Sequence, residues 1–346
     1  MTCAVIAFTR RGALLARRLA DGLGGSLHVP PRFAAEADAQ PYTSLEAWTA
    51  GAWSSADALV FVGACGIAVR AIAPHVKDKF TDPAVVSVDE AGAWAVPLLS
   101  GHVGGANDLA RRVAALTRGR AAVSTATDVN GVFAVDQWAA RQGCAIDGRA
   151  AARHISAALL AGGTVGFRSD FPTEGPLPMG VTGGPAPLGF AITLDPGSAP
   201  FPETLRVIPK ILRLGLGCRR GASEEAIAAA VDRVLTERCL SPRAVLGVYT
   251  IDMKRDEPGL LAFCRSRAWP LTCYTAEELS AVEGDFTPSL FVHSVTGVDN
   301  VCERAAALAG GALLVRKQAL NGVTAALAAV PFTVRFPGAA ASKGAP

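Results

Sequence analysis

No apolar run in the sequence reaches the roughly 18 residues that a membrane span needs. The longest candidate, AAALAGGALLV at 305–315, is shorter and holds two glycines. The opening MTCAVIAFTRRG places its basic pair behind the apolar stretch, the reverse of a secretory signal, and predicts a first buried strand instead. The eight cysteines lie far apart, with no C-x-x-C and no paired Cys/His spacing. That argues against a structural zinc site and for reduced thiols in a cytoplasmic protein. Charge of one sign is also missing. Against 33 basic residues stand 30 acidic ones, too even a balance for a nucleic-acid surface. A locally basic site for a small anion stays open. There is no G-x-x-x-x-G-K-[ST], so Walker-type nucleotide hydrolysis is excluded.

What the chain does have is length, apolar residues and glycine turns. Its 346 residues, half of them hydrophobic, suffice for more than one packed domain. In the first part, short apolar runs alternate with amphipathic stretches. AVIAFT precedes GALLARRLADGL, ADALVFVGA precedes GIAVRAIAPHV, and AVVSVDEAG and AWAVPLLSG flank a turn at Ala91-Gly92. AAVSTATDV (121–129) reads as a further strand before FAVDQWAARQG. Strands alternating with helices predict β-α units and a largely parallel sheet. Residues 141–210 begin with a helix and a strand, then become dense in Pro and Gly. That density rules out a long helix and predicts a small β-containing insert and linker. From 211 to 336 a second alternation of strands and helices returns, with SEEAIAAAVDRVLTERCL as a strongly periodic helix. The expected fold class is α/β: two separate α/β domains with mainly parallel sheets, at 1–140 and 211–336. A small Pro/Gly-rich middle region at 141–210 joins them, and a disordered tail follows at 337–346.

Three junctions share one design, an apolar run, a glycine turn and a helix. They are FVGACGIAVR (61–70), LLSGHVGGANDLARR (98–112) and LGLGCRRGASEEAIAAA (214–230). A helix N-terminus has free N–H groups, and glycine lets a ligand approach closely, so each is a candidate anion site. Each is equally read as a plain tight turn. The candidate binding residues are Gly66 and Arg70 in the first junction, Gly104, Gly105 and Asn107 in the second, and Arg219, beside Arg220, in the third. The third fails the dinucleotide fingerprint, because Gly215, Gly217 and Gly221 are spaced G-x-G-x-x-x-G. Acid–base candidates are Asp89, Glu90, His102, Asp128 and Asp136, with Asn130 as a further binding residue or helix cap. If strand ends carry Asp89, Glu90, Asp128 and the turn 101–105, the rule for open α/β sheets puts them on one cleft. His102 would then act as a neutral base oriented by Glu90 or Asp128, or merely bond its own turn.

FVGACGIAVRAIAPHVKDKFTDPAVVSVDEAG, LLSGHVGGANDLARRVA and TATDVNGVFAVDQWA resemble the amino-terminal domain of the CbiG family, the cobalt-precorrin-5A hydrolases of anaerobic cobalamin biosynthesis. GLGCRRGASEEAI, DEPGLLAF, TGVDNVCERAAAL and KQALNGVTAALA resemble its carboxy-terminal domain, which is also similar to CobE of the aerobic pathway. Residues 160–205 match no motif. The resemblance implies a tetrapyrrole substrate that carries its own cobalt, with a δ-lactone between a ring-A acetate and the methylated C-20. Water opens the lactone and acetaldehyde leaves. It implies no further cofactor and no metal site of the protein's own, no nucleic-acid or membrane partner, and other enzymes of the pathway as candidate partners. It hands over no catalytic residues. The alternatives are a non-catalytic corrinoid-binding protein and a phosphate-ligand enzyme.

Overall fold

The computed structural model describes residues 2–78, 81–102 and 104–336; the expected disordered tail, 337–346, lies outside the described residues. Contacts cluster into two units, Met1–Gln137 and Trp138–Pro346.

The first unit runs β1 (Cys3–Ala7), α1 (Arg10–Leu23), β2 (Ser26–Val29), α2 (Pro31–Ala37), β3 (Gln40–Pro41), α3 (Leu45–Ser55), β4 (Ala58–Val62) and α4 (Cys65–Ile72). It continues with β5 (Ala84–Val88), β6 (Trp94–Leu99), α5 (Ala106–Thr117), β7 (Arg120–Ala121), α6 (Ala126–Val129) and the start of α7 (Val135–Arg141). The strands form one sheet in the order β3-β2-β1-β4-β5-β6-β7. β1, β4 and β5 are buried along their whole length, as expected of parallel strands covered on both faces. Residues of α1, α2 and α5 form a core on one face of the sheet, and residues of α3 and α4 a core on the other. Local chemistry sets the helix ends. Thr9 caps α1 by accepting from the Gly12 N–H, and Gly24 closes it with φ 68°.

One strand breaks the parallel pattern, and the site depends on it. β6 runs antiparallel to β5, pairing Val85 with Leu99 and Val88 with Ala95. The tight turn at Ala91-Gly92 makes this a hairpin, with Gly92 at φ 72°. The expected strand at 121–129 is a second departure. β7 stops at Ala121 and the TATDV segment coils into α6. The alternation in AAVSTATDV was too short to separate a strand from one helical turn.

The second unit holds two five-stranded sheets. β8 (Cys144–Asp147), α8 (Arg149–Leu160), β9 (Val165–Ser169), β10 (Thr173–Glu174), β11 (Val181–Thr182), β12 (Leu188–Ile192) and β13 (Glu203–Pro209) come first. Their main sheet is ordered β11-β9-β12-β13-β8. The glycines of this Pro/Gly-rich stretch have a packing reason. A Cβ at Gly166 or Gly189 would lie 2.2 or 2.5 Å from the Phe201 ring, which fills the space they leave.

The second sheet is built from β14 (Leu212–Cys218), α9 (Glu224–Glu237), β15 (Val245–Ile251), α10 (Pro258–Arg267), β16 (Leu271–Tyr274), α11 (Ala276–Ser280), α12 (Leu290–Thr296), α13 (Val301–Leu308), β17 (Ala312–Leu320) and β18 (Val323–Ala329). Its order is β16-β15-β14-β18-β17, and β19 (Val334–Arg335) pairs with β10. Among the described residues no helix is long and apolar enough to cross a membrane. The architecture is α/β with mainly parallel sheets.

Candidate functional site

The turn after β6 folds back on itself. Gly105 N–H donates to the His102 carbonyl at 3.1 Å, Ala106 N–H to Ser100 at 3.1 Å, and Asn107 N–H to Gly101 at 3.0 Å. Gly105 has φ 84°, the left-handed region that favours glycine. A Cβ on Gly104 would lie 2.4 Å from the Ser100 Cβ. These contacts correct the anion-site expectation for Gly104 and Gly105. The Gly105, Ala106 and Asn107 N–H groups are already given to the turn's own carbonyls, so the glycines serve the turn.

The same turn delivers His102 into a polar cluster. His102 Nε2 is 3.0 Å from Asp128 Oδ2 and 3.1 Å from Thr127 Oγ1. On the other side of the ring, Nδ1 lies 3.7 Å from Asp136 Oδ1. Asn107, buried at 2% exposure, donates through Nδ2 to Thr125 Oγ1 at 2.7 Å and to Asp128 Oδ2 at 2.9 Å. Arg111 donates through Nη2 to Asp128 Oδ1, and through Nη1 to Asp108 Oδ1 at 2.9 Å. The cluster therefore draws on the turn, on α5, on α6 and on the first turn of α7.

Its electrostatics follow from these contacts. The Asp136 carboxylate beside Nδ1 lifts the pKa of His102 above its ordinary value; burial opposes this and Asp128 adds to it. Burial pushes Asp128 upward, but the bonds from Arg111 and His102 outweigh it and hold the carboxyl below the usual carboxylate range. Ionised carboxylates only accept, so the ring carries more of its doubly protonated form than a free histidine does. His102 is accordingly protonated more often, and a neutral base less often, than the sequence led one to expect.

The expected common cleft does not form. β6 is antiparallel to β5, so the His102 turn leaves the sheet beside Ala84, at the start of β5. Asp89 and Glu90 follow Val88 at its other end, about 13 Å away along a five-residue strand. Glu90 therefore does not orient His102; its Oε1 accepts from Thr9 Oγ1 at 2.5 Å, at the end of β1. Asp89 Oδ2 accepts from the Trp94 N–H at 2.6 Å and Oδ1 from the Ala91 N–H at 2.9 Å, which stabilises the hairpin. Gly66 and Arg70 belong to the Glu90 edge, on α4 beyond the end of β4, and both are exposed. Asp128 sits on a short helix, not at a strand end. Asn130 closes that helix, donating to the Ala126 carbonyl at 2.8 Å.

In the second unit, Arg219 donates its backbone N–H to Gly322 at 2.9 Å and lays its side chain over that glycine. The nearby Gly221 N–H goes to buried Glu257, at 2.7 Å. This glycine turn, too, is engaged by protein, while the Arg219 and Arg220 side chains stay exposed. Sequence reasoning missed Arg111, Thr125 and Thr127. Arg111 was within reach: it stands four residues after Asn107 and therefore on the same face of α5.

The comparisons with known proteins bear on the whole chain. Residues 47–128 match the family described as Cobalamin synthesis G N-terminal, 133–187 the Cobalamin biosynthesis central region, and 212–328 the Cobalamin synthesis G C-terminus. The central match reaches into the stretch where no motif was found. A cobalt-precorrin-5A hydrolase of Salmonella typhimurium is 33% identical over 340 residues, covering 94% of this chain and 96% of its own. One of Priestia megaterium is 33% identical over 298 residues, 79% of each chain. The protein CobE of a Sinorhizobium species is 35% identical over 128 residues, 36% of this chain and 82% of its own. With matches in all three regions and a relative 33% identical over 94% of its length, the chain belongs to the cobalt-precorrin-5A hydrolase family.

Proposed function

We propose that this chain hydrolyses cobalt-precorrin-5A, with His102 and Asp128 as the pair that moves the protons. The observation that carries the assignment of residues is the His102 ring held between two carboxylates in a chain of this family. Water adds to the lactone carbonyl and the ester C–O bond breaks, leaving the ring-A acetate and a free hydroxyl on the two-carbon fragment, C-20 with its methyl. Removing the hydroxyl proton lets the adjoining C–C bond break. Acetaldehyde leaves, and the electron pair passes into the conjugated macrocycle, which takes up a proton. Each stage needs a group that gives or takes a proton near neutral pH. A histidine bonded to a carboxylate does both, because Asp128 stabilises the charged ring.

The cobalt is carried by the substrate in this reading, and the macrocycle is the electron sink, so the chain brings no cofactor of its own. The partner is this small tetrapyrrole in a cytoplasmic setting, with neither nucleic acid nor membrane involved, and enzymes that make or use it are further candidates. A phosphate-ligand enzyme is disfavoured by the N–H groups already engaged at Gly105, Ala106 and Asn107 before α5, and at Gly221 and Ala226 around the start of α9. A corrinoid-binding protein without turnover is separated by trapping the aldehyde. Purified protein with authentic substrate should release acetaldehyde, and His102→Gln should lower turnover about 100- to 10,000-fold while substrate still binds. No aldehyde from folded protein would overturn the reaction; near-normal turnover in His102→Gln would overturn the assignment of the pair.

A further inference from the structure

We infer that Arg111 is a positioning residue for this reaction, gripping one oxygen of Asp128 so that the other faces His102. The inference rests on reading His102 and Asp128 as the proton-moving pair. The two carboxylate oxygens of Asp128 have separate duties. Oδ1 accepts from Arg111 Nη2. Oδ2 accepts from Asn107 Nδ2 at 2.9 Å and lies 3.0 Å from His102 Nε2. A carboxylate on a short helical turn is free to rotate about its last torsion. The Arg111 bond fixes that torsion from the opposite side to the histidine.

Arg111 is itself fixed. Nη1 bonds Asp108 Oδ1 at 2.9 Å, three residues back on α5, so the guanidinium spans Asp108 and Asp128 with two nitrogens. Lysine offers a point charge and cannot reproduce that planar span. The groups facing Asp128 are Arg111 and Asn107 from α5, His102 from the turn, and Thr125 from its own segment. Thr127 and Asp136 meet it through His102, and Asp108 through Arg111. Arg111 also keeps Asp128 ionised. Removing the guanidinium leaves the burial of Asp128 less opposed, so its pKa moves up. Arg111 thus sets both the aim and the charge of the carboxylate without having to touch substrate.

The test is steady-state kinetics on cobalt-precorrin-5A with acetaldehyde trapping, over about pH 5–9, for the wild type, Arg111→Ala, Arg111→Lys and His102→Gln. In Arg111→Ala, kcat should fall roughly 10- to 100-fold, the order of loss that a misplaced catalytic group brings, with KM little changed. The acid limb of the kcat profile, which reports loss of the His102 proton, should move to higher pH because a nearby cation no longer opposes the charged ring, and added guanidinium ion should restore part of the rate. Arg111→Lys, which keeps the charge, should hold the acid limb near the wild-type position while kcat stays reduced. Wild-type kcat and acid limb in Arg111→Ala, beside an inactive His102→Gln, would overturn the role of Arg111 alone. So would a raised KM with unchanged kcat, which would make Arg111 a substrate anchor. Near-normal turnover in His102→Gln would instead overturn the reading beneath it.

Discussion

Asp128→Asn separates charge from shape in the His102 cluster, and its effect on stability should depend on pH in a defined way. His102 has a raised pKa in the fold. Its contribution is fully present below its unfolded value, about 6.5, and is lost as pH rises through the folded value. Asp128 has a depressed pKa. Its contribution is present above its unfolded value, about 3.9, and is lost as pH falls through the folded value. Both terms coexist between about pH 4 and 6.5, and there the substitution should cost most. The partners are 18% and 11% exposed, so the bond between them ranks with charged hydrogen bonds of about 1.5–3 kcal/mol. Arg111 is 45% exposed, and solvent screening holds its pair to under about 1 kcal/mol. Asparagine keeps the volume and one acceptor, so the expected loss near pH 5.5 is about 2 kcal/mol, shrinking at alkaline pH. A melt of the whole two-unit chain would blur this. Hydrogen-exchange protection of the β4 and β5 amides, corrected for the intrinsic pH dependence, reads the first unit alone. A histidine NMR titration, assigned with His102→Gln, should show the His102 pKa falling in Asp128→Asn yet keeping the part supplied by Asp136. A stability loss equal at pH 5.5 and 9, or an unmoved His102 titration, would refute the coupling.

Other substitutions test other parts of the structure. Gly104→Val places a Cβ 2.4 Å from the Ser100 Cβ and 2.9 Å from its carbonyl oxygen, so it should destabilise the first unit by about 1–3 kcal/mol; unchanged protection of the α5 amides would show that the turn has room. Gly66→Ala sits in the first turn of α4, where its Cβ would meet only Arg70 Nη1 at 3.5 Å. It should stabilise by about 0.5–1 kcal/mol, and a measurable loss would contradict the open space. Glu90→Gln should leave the His102 titration unmoved, since Glu90 bonds Thr9 at the other sheet edge; a shift in that titration would restore the common cleft. Glu303 is fully buried and accepts from Thr287 N and Oγ1 and from Lys317 N. Glu303→Ala strands those donors, so it should cost about 3 kcal/mol or more of second-unit stability, read by exchange at β17 and β18.

Much of the fold was legible because buried parallel strands advertise themselves. VIA, ALVFV and AVVSV are apolar runs, the first two followed by a helical period, and each became a strand buried along its whole length. What sequence could not supply was strand direction. A five-residue hairpin turn and a crossover both follow an apolar run, and only pairing shows that β6 returns alongside β5. That single reversal separates Glu90 from His102, although the two stand only twelve positions apart in the chain.

The site was half legible for the same physical reason. His102, Asn107 and Arg111 lie on one turn and the next helix, so local spacing could place them together. Asp128 and Asp136 reach them only after TATDV coils into a helical turn and α7 starts behind it. No periodicity reports such a loop-to-loop meeting. The glycines misled in an instructive way. A glycine-rich strand-to-helix turn offers N–H groups to an anion only if the turn does not use them itself. Here Ser100 takes a left-handed backbone, at φ 56°, which curls the chain so that its own carbonyls cap α5. The function of those glycines is therefore to bend the chain sharply enough to present His102 between two acids, which binds the glycine turn after β6 to the proposed chemistry through geometry and not through a ligand contact.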